Sequence, residues 1–435
     1  MKWLRTSLYV LFLGACTALG VGLHVASKVV SAFGPDATLS KILIAGKDPL
    51  SYFPNQKRMT ILLVGQDYNH NNKGFIYTRA SRADTVMLLS VDLAKKSVRA
   101  CSIPRDTYVK APDGKTGKIN ATFSRGGIDL LKGTIKDLFG VEVDHYVVIK
   151  PTAVREIVDS VGGVEVEAID DMNYDDNWGG LHIHLPAGKQ VVDGKGAEGF
   201  VRFREVNRSK MDADGHIIPL HNVKSSKEEG DLRRTARQQQ MVHALMLAAN
   251  TPGNIMHADQ IIDTGFNQIE TDLSRLQCLA LANIFRGSAG QQMVSGTLPG
   301  GDKKLNGVYF YVLDDDRAQA TVDWLINYDD EAIKKTLRIV VTNGTKTPGA
   351  ASKVAKLLNE KGFNATVMGN APAAAATTVV YQKASYFDMA KQIQGLIGST
   401  NISKAPPSSP ANEDIAITIG QDTVQVAEVP GPSHG

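Results

Sequence analysis

The stretch Gly230 to Asn250, GDLRRTARQQQMVHALMLAAN, constrains the fold most, because its polar and apolar halves point the same way. On a helix at about 100° per residue, Met241, Val242, Leu245, Met246, Ala248 and Ala249 form one apolar arc, with Leu247 outside it. Asp231, Arg234 and Gln238 project into that same arc a turn or more earlier, with Arg237 at its edge and Arg233 just beyond. A charge moved into a low-dielectric interior costs several kcal/mol unless it is paired. The helix must therefore begin in a polar cavity or in a salt-bridge cluster. Taken alone, Asp231 fits equally well as a helix cap with ordinary ion pairs to its neighbours.

Other segments add to this one. FVRFR (200–204) places Arg202 and Arg204 two apart, on one face of an expected strand. SRADTV gives Arg82 and Asp84 the same spacing, and SIPRD puts Arg105 and Asp106 at the end of an apolar strand. Arginines and aspartates gathered at the ends of otherwise buried elements suggest a site for a multiply charged anion, with a cation between it and the acids. Arginine offers a fixed fork of donors suited to phosphate oxygens. Carboxylates without cysteine or histidine suit hard Mg²⁺, which often bridges protein acids and a pyrophosphate.

A length of 435 residues predicts two or three folded units. The net charge of +3 is too small for a nucleic-acid binder, so basic chemistry must be local and no nucleic acid is expected. Cys16, Cys101 and Cys278 lie far apart and form no CxxC pair, so they do not indicate a redox compartment. After the basic MKWLR, the chain from Thr6 carries no Asp, Glu, Lys or Arg until Lys28. That run is long enough to span a bilayer, and Lys2 and Arg5 before it place the N-terminus in the cytosol and the rest outside. A cleaved signal peptide and a lipoprotein box ending at Cys16 are the rival readings, and both also export the chain.

The expected organisation is an anchor at 1–30, a linker at 31–58 and an α/β sandwich at 59–330. A small α/β domain at 336–398 and a disordered tail at 403–435 complete it. Strands are expected at MTILLVGQD, at ADTVMLLSVD with SVRACSIPRD as a hairpin, at DHYVVIK and at GVEVEA; helices are expected at GGIDLLKGTIKDLFG and PTAVREIVDSVGG.

The chain resembles the LytR–CpsA–Psr family of cell-wall ligases. The resemblance is carried, in order, by ILLVGQD, SRADTVMLLSVD, SIPRDTYV, KINATFSRGG, VGGVEVE, LPAGKQVVDGKGAEGFVRFR and GDLRRTARQQQMV, across about residues 60–250. The later RIVVTNGTKTPGAASKVAKLLNEKGF resembles the LytR C-terminal domain. The resemblance implies a membrane-anchored, extracytoplasmic phosphotransferase that moves a glycopolymer from a polyprenyl-pyrophosphate carrier onto peptidoglycan. It implies Asp67 and Asp84 as Mg²⁺ ligands, and Arg82, Arg105, Arg202, Arg204, Arg234 and Gln238 as pyrophosphate contacts. Asp231 either orients these arginines or serves as an acid–base group; Asp106 and Lys118 are weaker candidates. A hydrolase of the same carrier and a non-catalytic wall-binding protein are the alternatives.

One stretch departs from the family pattern. EVNRSKMDADGHIIPLHNVKSSKEE separates the RFR segment from the GD turn, where a short loop is usual, and reads as a lid, an acceptor-recognition loop or a plain disordered loop. HIH (182–184) puts two histidines on one strand face but with no third ligand near in sequence, so zinc is not expected. Phe75, Tyr77 and Trp178 could line a sugar cleft, although aromatics are more often core. The chain has neither a P-loop signature nor a nucleophile elbow.

Overall fold

The computed structural model describes residues 26–35, 37–54, 56–66, 69–70, 76–77, 81–176, 181–207, 209–211, 217–219, 224–228, 251–288, 294–383, 386–405 and 412–422, with isolated positions between 233 and 249. Most of the expected anchor therefore lies outside the described residues. Among those described, no helix is long and apolar enough to cross a membrane.

Strand β1 (Arg58–Gln66) is built from RMTILLVGQ, whose Met59, Ile61, Leu62 and Val64 are buried. β2 (Ala83–Asp92) and β3 (Ser97–Ile103) form the expected antiparallel hairpin, turning through Leu93–Lys96. Helix α1 (Asn120–Phe139) breaks at Gly126 and Gly127, and Gly127 has a φ of +62°, where a side chain would be strained. There follow β4 (His145–Ile149), α2 (Ala153–Ser160), β5 (Met172–Asp176), β6 (Leu181–Leu185), α3 (Gly194–Arg202), β7 (Ile269–Thr271), β8 (Val294–Thr297) and α4 (Asp315–Leu325). The main sheet has the order β7-β4-β1-β2-β3-β8. It mixes antiparallel neighbours, β7 with β4 and β2 with β3, with the parallel pair β8 and β3. Mixed pairing with intervening helices is the α/β class expected.

The chain divides into two compact units, one of residues 1–56, 63–84 and 145–284, the other of 57–62, 85–144 and 285–435. In the first, a core of Val158, Val166, Met172, Ile183, Phe200, Phe203 and Met241 packs α2 and α3 against β5 and β6. Gly194 opens α3 where α2 comes closest. A Cβ there would lie 2.3 Å from the Arg155 carbonyl oxygen, so only glycine lets the helices meet. Asp193 caps α3 by accepting from the Gly196 N–H at 2.8 Å. Near the N-terminal end, the helix Leu39–Lys47 turns Leu39, Leu43 and Ile44 to solvent.

In the second unit, Arg99 of β3 donates to the Trp324 carbonyl at 2.7 Å and to Asp330 at 2.9 Å, tying the hairpin to α4. A second sheet comprises β9 (Ile339–Asn343), β10 (Ala365–Asn370), β11 (Thr378–Tyr381), β12 (Asn401–Lys404) and β13 (Ile415–Ile419), in the order β10-β9-β13-β11-β12. Asp414 is buried and accepts from the Arg317 side chain at 2.6 Å and from the Arg338 N–H at 2.9 Å. Arg317 belongs to α4, so this contact joins α4 to the second sheet. Burial pushes the Tyr386 phenol up to about 12, and the Asp414 carboxylate adds to that rise.

Three expectations are corrected. The stretch 403–435 is not a disordered tail throughout, because β13 is the middle strand of the second sheet, with Ile415, Ile417 and Ile419 buried. Proline and serine at 406–410 masked the alternation that follows them. FVRFR is not a strand: α3 runs to Arg202, and the chain turns extended at Phe203, its C-cap. Glycines at 194, 196 and 199 argue weakly against helix, yet each lies where α3 meets a neighbour. Finally, the reading of the inserted segment as a plain disordered loop does not hold at its described ends, which are tied to the rest of the unit. The Asn207 amide donates to the Asp175 carbonyl at 2.8 Å, and its Oδ1 accepts from the Asp175 N–H. Ser209–Met211 pairs antiparallel with Ile217–Pro219, and buried Glu228 accepts from the Ile169 N–H at 2.7 Å.

Candidate functional site

In the first unit, Arg82 and Asp84 flank buried Ala83 at the start of β2, and both are exposed. The two-residue period of extended chain turns Ser81 and Ala83 inward and Arg82 and Asp84 outward. Arg202 and Arg204 repeat that arrangement: Phe203 between them is buried, and both arginines are exposed. The expected strand is not what exposes them: Arg202 ends a helix and Arg204 follows its extended C-cap. Arg202 Nη1 donates to Glu198 Oε1 at 2.7 Å, one helical turn back. Glu198 is buried, and its other oxygen accepts from Arg155 Nη2 of α2 at 2.5 Å.

In the second unit, exposed Arg105 sits on a turn that the backbone holds from several directions. The Arg105 carbonyl accepts from the Asn120 N–H at 3.1 Å, and the Thr107 carbonyl accepts from the Ile119 N–H at 2.8 Å. The Asp106 carbonyl accepts from the Tyr311 N–H at 2.9 Å, and the Thr107 hydroxyl donates to the Pro104 carbonyl at 2.6 Å. Such a turn presents its side chain without further ordering. The weaker candidates Asp106 and Lys118 form an ion pair at 3.1 Å. In the β2–β3 register Val86 faces Ile103, with Asp84 two residues before Val86 and Arg105 two residues after Ile103.

Asp67, Asp231, Arg234 and Gln238 lie outside the described residues, as do Phe75 and Trp178. In the charged segment from Gly230, Arg237 is described. Arg237, placed at the edge of the apolar arc, is only 3% exposed. Its Nε donates to the Phe200 carbonyl at 2.8 Å and its Nη2 to the Phe203 carbonyl at 2.5 Å. Its Nη1 donates to Glu228, at 2.6 Å to the carbonyl and 2.8 Å to Oε2. The salt-bridge cluster that the helix demanded is thus present at Arg237, and its acid comes from the inserted segment. Leu247 is exposed, as the arc required.

Sequence reasoning missed Arg155, Glu198 and Glu228. Glu198 to Arg202 is an i,i+4 pair, legible once the segment is read as helix. Nothing local marks Arg155 or Glu228. The third group that HIH lacked in sequence is Asp175, on the paired strand. Its Oδ1 lies 2.7 Å from His182 Nδ1 and 3.1 Å from His184 Nε2, and the bond to His182 holds its carboxyl below the usual range. Among the described residues no group of three His, Cys, Asp or Glu is arranged to hold a metal.

Residues 35–215 and 221–326 match the LytR_cpsA_psr family model, so the chain belongs to that family. Residues 336–423 match a second model, described as LytR cell envelope-related transcriptional attenuator. The break in the first match, at 216–220, falls inside the inserted segment. The chain is similar to the polyisoprenyl-teichoic acid–peptidoglycan teichoic acid transferase TagV of Bacillus subtilis, at 26% identity over 59% of this chain and 61% of that protein. It therefore spans less than two thirds of that relative. It is similar to the transferase of the same description TagU of Oceanobacillus iheyensis, at 28% over 61% of this chain and 74% of that protein. Among solved structures, that of B. subtilis TagV matches with a TM-score of 0.44 at 24% identity, covering 63% of this chain and 99% of the other.

Proposed function

We infer that the protein is a phosphotransferase that moves a glycopolymer from a polyprenyl-pyrophosphate carrier onto peptidoglycan through a phosphodiester link. The observation that carries this reading is the exposure of Arg82, Asp84, Arg202 and Arg204 beside buried residues, and of Arg105 two residues past buried Ile103, at the ends of elements. Family membership and relatives described as teichoic acid transferases support it. Arginine forks there suit the oxygens of a diphosphate, with Arg234 and Gln238 completing the set. Asp84 offers the hard oxygen that Mg²⁺ takes, and with Asp67 would hold it together with ligand oxygens. Bound there, the ion would neutralise charge on the pyrophosphate.

In the transfer, an acceptor hydroxyl oxygen forms a bond to the sugar-side phosphorus, and the bond from that phosphorus to the bridging oxygen breaks. Polyprenyl phosphate leaves, and the hydroxyl proton passes to a base, the role assigned to Asp231. The arginines bind and orient the charged groups, which is most of what phosphoryl transfer requires. The uncharged run from Thr6 to Ser27 supports a single-pass anchor with the remaining chain outside the membrane. On this reading the catalytic domain is 59–330 and the LytR C-terminal domain 336–423.

The decisive experiment supplies the full chain with Mg²⁺, a labelled polyprenyl-pyrophosphate oligosaccharide and peptidoglycan. Label should become wall-linked in the parent and not in Arg105→Ala or Arg234→Ala. Release of free labelled sugar phosphate alone would make the protein a hydrolase. Binding to wall with neither product would make it non-catalytic. Asp84→Ala should lose activity and Mg²⁺ dependence together, and a fully active, metal-insensitive variant would overturn the metal assignment.

A further inference from the structure

We propose that Arg155, which lies outside the motifs that carry the family resemblance, is a second guanidinium of the phosphate-binding surface to which Arg202 belongs. Glu198 is the positioning residue that sets both. The inference rests on the reading of Arg202 as a pyrophosphate contact.

Glu198 gives one carboxylate oxygen to each arginine: Oε1 to Arg202 and Oε2 to Arg155. The carboxylate is 4% exposed, whereas the side chains of Arg155 and Arg202 are 42% and 40% exposed. The acid is therefore inside and the two cations are at the surface. The three groups together carry one positive charge, presented outward. Two guanidiniums would ordinarily repel each other, and the buried carboxylate between them offsets that repulsion.

The arrangement is also fixed in space. The Gly194 N–H donates to Asp159 at 2.7 Å, and a Cβ at Gly194 would lie 2.3 Å from the Arg155 carbonyl. The backbone of Arg155 thus rests against the first turn of α3, four residues before Glu198. Two planar donor groups at a set separation suit a ligand with two adjacent phosphoryl groups, a diphosphate ester, better than a single phosphate.

The rival account makes Arg155 and Glu198 a staple between α2 and α3 with no ligand. Calorimetric binding of inorganic pyrophosphate to the full chain, with donor kinetics and unfolding midpoints, separates the two. Arg155→Gln and Arg202→Gln should each weaken pyrophosphate binding about tenfold, with donor KM rising in parallel. Arg155→Lys should recover part of the loss, since it keeps the charge without the fork. Glu198→Gln should hold pyrophosphate affinity within about twofold while kcat falls about tenfold, because both guanidinium charges stay while the carboxylate that orients them goes. If Arg155→Gln is unstable, Arg155→Met, which keeps the packing of the stem, replaces it. Pyrophosphate affinity unchanged in the Arg155 variant but lost in Arg202→Gln would overturn the inference, leaving a staple that lowers the midpoint alone. Parental binding and transfer by Arg202→Gln would instead sink the functional reading on which it rests.

Discussion

Two arginine–glutamate clusters in the same unit make opposite use of one chemistry. Around Glu228, Arg237 is 3% exposed and gives its donors to two backbone carbonyls and to both the carbonyl and carboxylate of Glu228. Around Glu198, the carboxylate is buried but both arginines stay in reach of solvent. In the first cluster the charge serves the fold: it ties Arg237 to the end of α3 and to the base of the inserted segment. In the second the acid serves to hold cations at a surface. Residue type does not distinguish the two. What distinguishes them is how far the guanidinium is buried: Arg237 is 3% exposed, the side chains of Arg155 and Arg202 about 40%.

The contrast can be broken most forcefully at Arg237. Arg237→Met leaves Glu228 buried without its main partner and should cost about 3–5 kcal/mol in urea unfolding, whereas Arg202→Gln should cost under about 1 kcal/mol. Equal losses would erase the distinction. Gly194→Ala forces α2 away from α3 and should cost about 1–3 kcal/mol while raising donor KM, because Arg155 moves with its backbone. Unchanged kinetics in that variant would separate the α2–α3 contact from binding. Raising salt from roughly 0.05 to 0.5 M should weaken pyrophosphate binding severalfold and leave the Arg237→Met penalty unaltered, since screening reaches exposed charges and not buried ones.

The smallest expected effect concerns alkaline pH. Burial pushes the Cys101 thiol from 9.0 up to about 12. A group whose pKa is raised on folding contributes stability that is complete below its unfolded value and is lost as pH rises toward the folded one. Urea midpoints should therefore fall between about pH 9 and 12, and Cys101→Ala should flatten part of that fall. Arg237 keeps its charge throughout this range, so its cluster should show no matching slope.

The fold was legible wherever burial was periodic. β1, the β2–β3 hairpin and α1 follow directly from runs of apolar residues with the right spacing. It was misread where local composition opposed tertiary packing, as at the glycines of α3 and the proline- and serine-rich approach to β13. The outward pair Arg82 with Asp84 was legible from its spacing, because an i,i+2 period in extended chain needs no knowledge of neighbours, whereas Arg202 and Arg204 are exposed although the strand expected for them is a helix end. The partners of those arginines were not.

By itself the sequence determined an α/β fold with charges set at the ends of buried elements, and that an apolar helical arc after Gly230 carrying charges must meet a polar partner. Hydrophobic period and the cost of burying charge are local properties, written in each segment. Only the tertiary structure decided which arginine is buried and which acid meets it. Glu228 reaches Arg237 from an inserted segment, and Arg155 reaches Glu198 from another helix. Such pairs depend on how elements pack, and packing brings together residues whose separation along the chain carries no signal.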